Sequence, residues 1–278
     1  MKRIAIQGIA GSFHEDATRK YFNEEVEIIE CRTFKQICEA VDNNQADYAV
    51  MAIENSIAGS ILGNYGLIRE YHLRVQGEVY IHIQMNLMAL EGVTKTDIIE
   101  VFSHPVAIAQ CQEYLVGSLP NATVTEKSDT AASAKIVKEK GLKNTAAIGN
   151  KRSAEIYGLN IIAKGIETNK KNYTRFWILS KKSLPNKDAD KSSICLEVGH
   201  YHGALVNVLN VFAKNKINLT KIQSVPIIGK PNEYCFHLDL EWKNTSDYEK
   251  AIHEVLKGAS SVAILGEYKH GDSEIHQQ

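Results

Sequence analysis

The stretch Tyr173-Thr174-Arg175-Phe176-Trp177-Ile178-Leu179 sets a hydroxyl and a permanently charged guanidinium at the mouth of an apolar run. A run that apolar reads as a buried strand, and polar groups held against its end are placed to face a ligand. Taken alone, a Thr-Arg pair at a strand start reads as ordinary exposed side chains. Two further clusters weigh against that: Glu54-Asn55-Ser56 follows the apolar Met51–Ile53, and Ser103-His104-Pro105 follows Ile98–Phe102. Short apolar runs alternating with amphipathic stretches over the first ~180 residues predict an α/β domain on a mainly parallel sheet.

The strands expected are 3–7, 27–31, 48–53, 98–102, 123–126, 145–148 and 175–179, with an extended segment over 75–84 leading into Met85-Asn86-Leu87-Met88. Helices fit over 15–22, 34–43, 64–71, 106–116, 130–140 and 151–157. Ligands of such sheets bind where strands end and helix N-termini present free N–H groups to anions. The Gly8–Ser12 loop, Glu54-Asn55-Ser56, Ser103-His104-Pro105 and Asp129-Thr130 all fall at junctions of that kind. Their convergence predicts one site. Gly8 and Gly11 lack the third glycine and the acidic residue of a dinucleotide fingerprint, so no nucleotide cofactor is expected.

With 278 residues, two domains are the natural expectation. The formal net charge of −1 gives no basic field for nucleic acid. The five cysteines, Cys31, Cys38, Cys111, Cys195 and Cys235, have neither even number nor C-x-x-C spacing, which predicts free thiols without a disulfide framework or zinc site. His200 and His202 lack an evident third ligand, and no metal site is expected. Nothing resembles a secretory leader or reaches the ~20 apolar residues that span a bilayer, so a soluble, cytoplasmic protein that does not contact membranes is expected.

Residues 181–191 are polar, carry Pro185 and show no apolar period, and read as a linker. Beyond it, strand 193–198, helix 203–214, strands 217–225 and 234–242, helix 247–258 and strand 260–266 give β-α-β-β-α-β, a ferredoxin-like unit.

NYTRF (172–176), IENSIAGS (53–60) and SHPVAIAQC (103–111), followed by GALVNVLNVFAKNKINLTKI (203–222), together resemble the prephenate dehydratase family. The resemblance runs from Ile4 to about Glu267. It implies a two-lobed, periplasmic-binding-protein-like catalytic domain over 1–180, with lobe 1 at about 1–76 plus 173–180 and lobe 2 at about 77–162. It implies an ACT regulatory domain over 192–270. The implied reaction is decarboxylative dehydration of prephenate to phenylpyruvate in phenylalanine synthesis, which needs no metal or organic cofactor. The implied assembly is a homodimer or homotetramer, and the implied effector is L-phenylalanine.

By the same resemblance the catalytic residues are Thr174, Glu54, Asn55, Ser103 and Gln110, and the substrate-binding residues are Ser12, Ser56, Thr130, Arg175 and Phe176. Thr174 is set at the leaving hydroxyl. An aliphatic hydroxyl is a very weak acid, so it is a polarising donor rather than a free general acid. Arg175 either binds a carboxylate or braces the lobe through Glu54. An ionised Glu54 beside a dianion would be repelled, which suits an orienting role. Ser103 and Gln110, seven positions apart, are expected on one helix face, with capping as Ser103's bland alternative. Phenylalanine would meet Gly203, Ala204, Leu205, Asn218, Leu219 and Thr220.

The chain departs from the family at His14, where Ser or Thr is common, at Val106, where Gln is common, and at Asp129, where Ser is common. His14 is read as either a pH-sensitive donor or a helix cap. Gln223-Ser224-Val225-Pro226 replaces the usual Glu-Ser-Arg-Pro and leaves phenylalanine control open. Two alternatives stand beside the first reading: arogenate dehydratase, and a non-catalytic solute-binding or effector-sensing protein.

Overall fold

The computed structural model describes residues 1–199, 201–227, 229 and 233–271. His200 lies outside them. The chain begins with β1 (Lys2–Gln7), α1 (Phe13–Phe22), β2 (Val26–Cys31), α2 (Phe34–Asp42) and β3 (Tyr48–Asn55). β1 lies parallel to both β2 and β3. The short β4 (Gly59–Ser60) folds back on β3, and α3 (Leu62–Glu70), β5 (Arg74–His82) and the late strand β11 (Tyr173–Ser180) follow. The sheet order is β2-β1-β3-β11-β5. Ala49–Ile53 of β3 are buried without interruption, as a strand covered on both faces requires.

A second sheet, ordered β10-β6-β9-β7-β8, holds β6 (Asn86–Ala89), β7 (Glu100–Ser103), β8 (Thr123–Glu126), β9 (Thr145–Gly149) and β10 (Asn160–Ala163). β7 is parallel to β8 and β9, whereas β6 runs antiparallel to β9 and β10. Its helices are α4 (Pro105–Gln110), α5 (Gln112–Ser118), α6 (Thr130–Glu139) and α7 (Lys151–Tyr157). Met88, Phe102, Ala134, Val137, Ala147, Ala154 and Leu159 form the core beneath α6 and α7. Four helix starts are fixed by side-chain caps: Ser12, Thr33, Asp129 and Asn150 accept backbone N–H groups of α1, α2, α6 and α7. A cap of this kind contributes about 1 kcal/mol.

The third sheet is built from β12 (Lys191–Glu197), α8 (Ala204–Lys214), β13 (Asn218–Pro226), β14 (Tyr234–Glu241), α9 (Thr245–Gly258) and β15 (Ser261–Tyr268). Its antiparallel order β13-β14-β12-β15 is the ferredoxin-like arrangement expected. Alternate residues Ile194, Leu196, Leu238 and Leu240 pack with Phe212, Tyr248 and Ile252 of the helices. Chain contacts divide the molecule into two compact units, Met1–Leu67 with Val79–Phe176, and Ile68–Glu78 with residues from Trp177 onward.

Several expectations are corrected. The single helix over 106–116 breaks at Cys111, which caps α4 and opens α5 with φ −106° and ψ 12°. β10 was not anticipated, because a four-residue edge strand carries too few positions to show a period. The linker's last residue, Lys191, is instead a buried part of β12, its ammonium 3.0 Å from Glu78 and 3.3 Å from Glu241. Cys195 and Cys235 are joined by a disulfide, whereas Cys31, Cys38 and Cys111 are buried free thiols. Forty residues apart in sequence, the joined pair becomes adjacent only through the β12–β14 register, which sets Cys195 against His237 and Glu197 against Cys235. Among the described residues no helix is long and apolar enough to cross a membrane.

Candidate functional site

The ends of β1, β3, β7 and β11 and the starts of α1, α4 and α6 surround a cavity of about 420 Å³. Ser12, Asn55, Gln110, Thr130, Thr174 and Phe176 line it, so six of the ten residues expected from sequence come together there. Its wall is largely apolar, from Phe13, Phe34, Ile61, Ile83, Met85 and Val106. Among the described residues no lysine or arginine lines it.

A chain of side-chain amides crosses the floor. The Asn55 amide donates to Thr174 Oγ1 at 3.0 Å and to Asn172 Oδ1 at 2.7 Å, and Asn172 in turn donates to Gln110 Oε1 at 3.0 Å. Asn55 Oδ1 accepts the N–H groups of Ile57 and Ala58, which fixes its own amide orientation. Since the lone pairs of Thr174 receive the Asn55 proton, its own O–H hydrogen is left to donate toward the cavity. Asn172, fully buried, was missed from sequence although it stands two residues before Thr174 in the quoted polar cluster.

Anions are served by backbone. α1 and α6 each run ten residues with their N-termini at the cavity, and Ser12, Phe13, His14, Asp129 and Thr130 belong to its lining. First-turn N–H groups have no intrahelical acceptor and carry the positive end of the helix dipole. The two ends differ in their caps, the hydroxyl of Ser12 at α1 and the carboxyl of Asp129 at α6. The start of α1 is clamped to α7: Arg152 reaches Glu15 at 3.2 Å, Asn150 donates to Asp16 at 2.6 Å, and Tyr157 donates to the Ala10 carbonyl at 2.8 Å, while Arg19 of α1 itself pairs with Glu15 at 2.6 Å. Gly11, at φ +87°, passes so close to Ser153 that a Cβ would lie 3.0 Å from its Cα.

Burial pushes the Asp16 carboxyl up to about 6. Burial also acts to raise Glu15, but the N–H of Gly11 and the guanidinium groups of Arg19 and Arg152 hold it below its ordinary value. His14 packs edge-on against Phe176, with ring centroids 5.0 Å apart, and burial lowers its pKa to about 3. Ser12, not His14, caps α1. Both readings offered for His14 are therefore corrected: it is a neutral aromatic wall at physiological pH.

The remaining expected residues stand behind the lining. Arg175 is buried with its guanidinium 3.9 Å from Glu54, an arrangement that braces β3 against β11. Ser56 accepts from Tyr173 N–H and donates to the Lys171 carbonyl, tying the end of β3 to the start of β11. Ser103 closes β7 and donates to the Ile148 carbonyl of β9 at 2.8 Å, so it shares no helix face with Gln110. His104 caps α4, its ring nitrogen accepting from Val106 N–H at 3.2 Å, and it also touches the cavity.

A second hollow of about 460 Å³ is lined by Val198, Tyr201, His202, Gly203, Ala204 and Leu205 at the start of α8. Asn218, Leu219 and Thr220 open β13 at the other end of that helix. Eleven residues of helix hold the two groups ~16 Å apart within one chain.

Residues 4–184 match the family model described as prephenate dehydratase. The chain is similar to a protein named arogenate dehydratase 5, chloroplastic, of Arabidopsis thaliana, with 36% identity over 96% of this chain and 67% of the relative. Among solved structures it is similar to a prephenate dehydratase in complex with L-Phe from Arthrobacter aurescens (TM-score 0.84, 29% identity, 96% of this chain and 90% of that one). It is also similar to GqqA, described as a novel type of quorum quenching acylase (TM-score 0.88, 28% identity, 99% and 100% of the two chains).

Proposed function

The chain belongs to the prephenate dehydratase family, and on that premise we propose that its first-unit cavity converts prephenate to phenylpyruvate, carbon dioxide and water. In this reaction the ring carboxylate leaves as carbon dioxide. Its bonding electrons enter the ring, and the ring C–O bond breaks with one proton taken up to give water. The observation that carries the reading is the Asn55–Thr174 hydrogen bond, which leaves the threonine hydroxyl as a directed donor to the departing oxygen. The helix N-terminus of α1, capped by the neutral hydroxyl of Ser12, anchors carboxylate, and the apolar wall favours the loss of charge as carbon dioxide forms. Gln110, through Asn172, holds the Asn55 amide in place. Glu54, Ser56, Ser103 and Arg175 keep the strand ends in register around these groups. The test is the appearance of phenylpyruvate absorbance from purified protein and prephenate, which a non-catalytic binder would not give.

A second reading is favoured by Asp129. Among the described residues no lysine or arginine joins it in the cavity lining, and arogenate differs from prephenate by carrying an ammonium. Comparing kcat/KM for the two substrates decides between them. An acylase reading has less support, because the described partner of Thr174 is the Asn55 amide and not a base.

The ferredoxin-like unit is, on this proposal, an ACT domain that senses L-phenylalanine. Its two candidate contact groups stand at opposite ends of α8, so a site using both is completed only by a second copy, which supports a homodimer or homotetramer. Three buried free thiols suit the reducing cytoplasm, where we place the reaction.

A further inference from the structure

The face of the third sheet turned away from α8 and α9 carries a row of ionisable side chains. Along β12 and β14, Ile194, Leu196, Leu238 and Leu240 enter the helix-side core, so Cys195, Cys235 and His237 point to the opposite face. They are 4%, 0% and 3% exposed. The two sulfurs and a ring nitrogen of His237 lie within 4.8 Å of one another. Ligand atoms around one zinc ion, at ~2.3 Å for sulfur and ~2.0 Å for nitrogen, stand at most ~4.6 Å apart, so small rotations suffice.

The donor chemistry is as specific as the geometry. Two thiolates and an imidazole are the set chosen by soft, closed-shell cations. A divalent ion with two thiolates and a neutral imidazole has no net charge, which lowers the cost of burying it. We propose that, once the Cys195–Cys235 bond is reduced, Cys195, Cys235 and His237 form a binding site for a thiophilic d10 cation, with Zn2+ as the representative ion.

The disulfide and metal-bound forms exclude each other. A dithiol reductant supplies two electrons and two protons to the sulfurs and becomes a disulfide itself; metal binding then releases the two thiol protons. Residues 40 positions apart are tied together in either form. Neither cysteine spacing nor composition signals the trio, because register alone assembles it.

The experiment uses the full chain, treated or not with a dithiol and then freed of it without air. Zn2+ alone is titrated against a chromophoric chelator. The reduced chain should bind one equivalent and the oxidised chain none at this trio. Cys195→Ser and His237→Gln should each weaken binding by about 100-fold or more, whereas Cys111→Ser should not. Co2+ in the reduced parent should give a sulfur-to-metal charge-transfer band, which reports thiolate ligation even where a variant fails to fold. Absence of that band, or equal zinc affinity in parent, Cys195→Ser and His237→Gln, overturns the proposal.

Discussion

The Asn55 amide donates to the Thr174 hydroxyl across 3.0 Å, and this bond sets where the threonine's own proton points. Without it the hydroxyl can rotate among several donors and acceptors. Asn55→Ala should lower kcat about 10-fold or more with a smaller change in KM, as expected when a transition-state donor loses its orientation. Asn172→Ala leaves the Asn55 turn intact and should give a smaller loss of the same kind. A change confined to KM in both variants would assign these amides to binding alone.

Asp16 makes stability depend on pH in a defined sense. Its folded pKa of about 6 stands above the ordinary 3.8, so the folded state holds the proton more tightly. The stabilisation is present at about pH 4 and is lost as pH rises through about 6, up to about 3 kcal/mol. Asp16→Asn keeps an acceptor for Asn150 and removes the titration. Its urea midpoint should match the parent near pH 4 and exceed it near pH 7; an equal offset at both would contradict this.

Lys191 and Glu78 form a buried ion pair in the second unit, their side chains 4% and 0% exposed. Glu78→Ala leaves the ammonium with Glu241 alone and removes the acceptor of the Gly271 N–H, and should cost about 3–5 kcal/mol in urea unfolding. A loss below about 1 kcal/mol would mean that Glu241 alone suffices.

His14 does not titrate in the working range, since its pKa is lowered to about 3. The kcat/KM profile of His14→Gln between about pH 5 and 8 should keep the shape of the parent's, whatever its height. An inflection near pH 6 that vanishes in the variant would show that His14 titrates in the free enzyme and would contradict this.

Much of this was legible in the sequence because the signals are local. The apolar run of β3 and the β-α-β-β-α-β order after residue 191 each lie within a few neighbours. Polar junctions at Asn55, Gln110, Thr130 and Thr174 marked the cavity for the same reason. What escaped depends on distant pairing. Ser103 reads as a catalytic residue or a helix cap until Ile148 is seen beside it, and Arg175 stays open between carboxylate anchor and brace until the partly exposed Glu54 is placed beside it. Asn172 shows its role only when β3, β11 and α4 meet. The Cys195–Cys235 pair depends on strand register, which no spacing rule encodes.

Thr174 is the side chain on which the proposed chemistry turns. Phenylpyruvate formation should be followed with purified parent, Thr174→Ser and Thr174→Ala, with ligand affinity measured alongside. The parent is expected to turn over prephenate, or arogenate to phenylalanine, with Thr174→Ser keeping much of the rate. Thr174→Ala should lose on the order of 100-fold or more in kcat with affinity nearly unchanged. A Thr174→Ala enzyme as fast as the parent, or a parent that turns over neither substrate, would contradict the assignment.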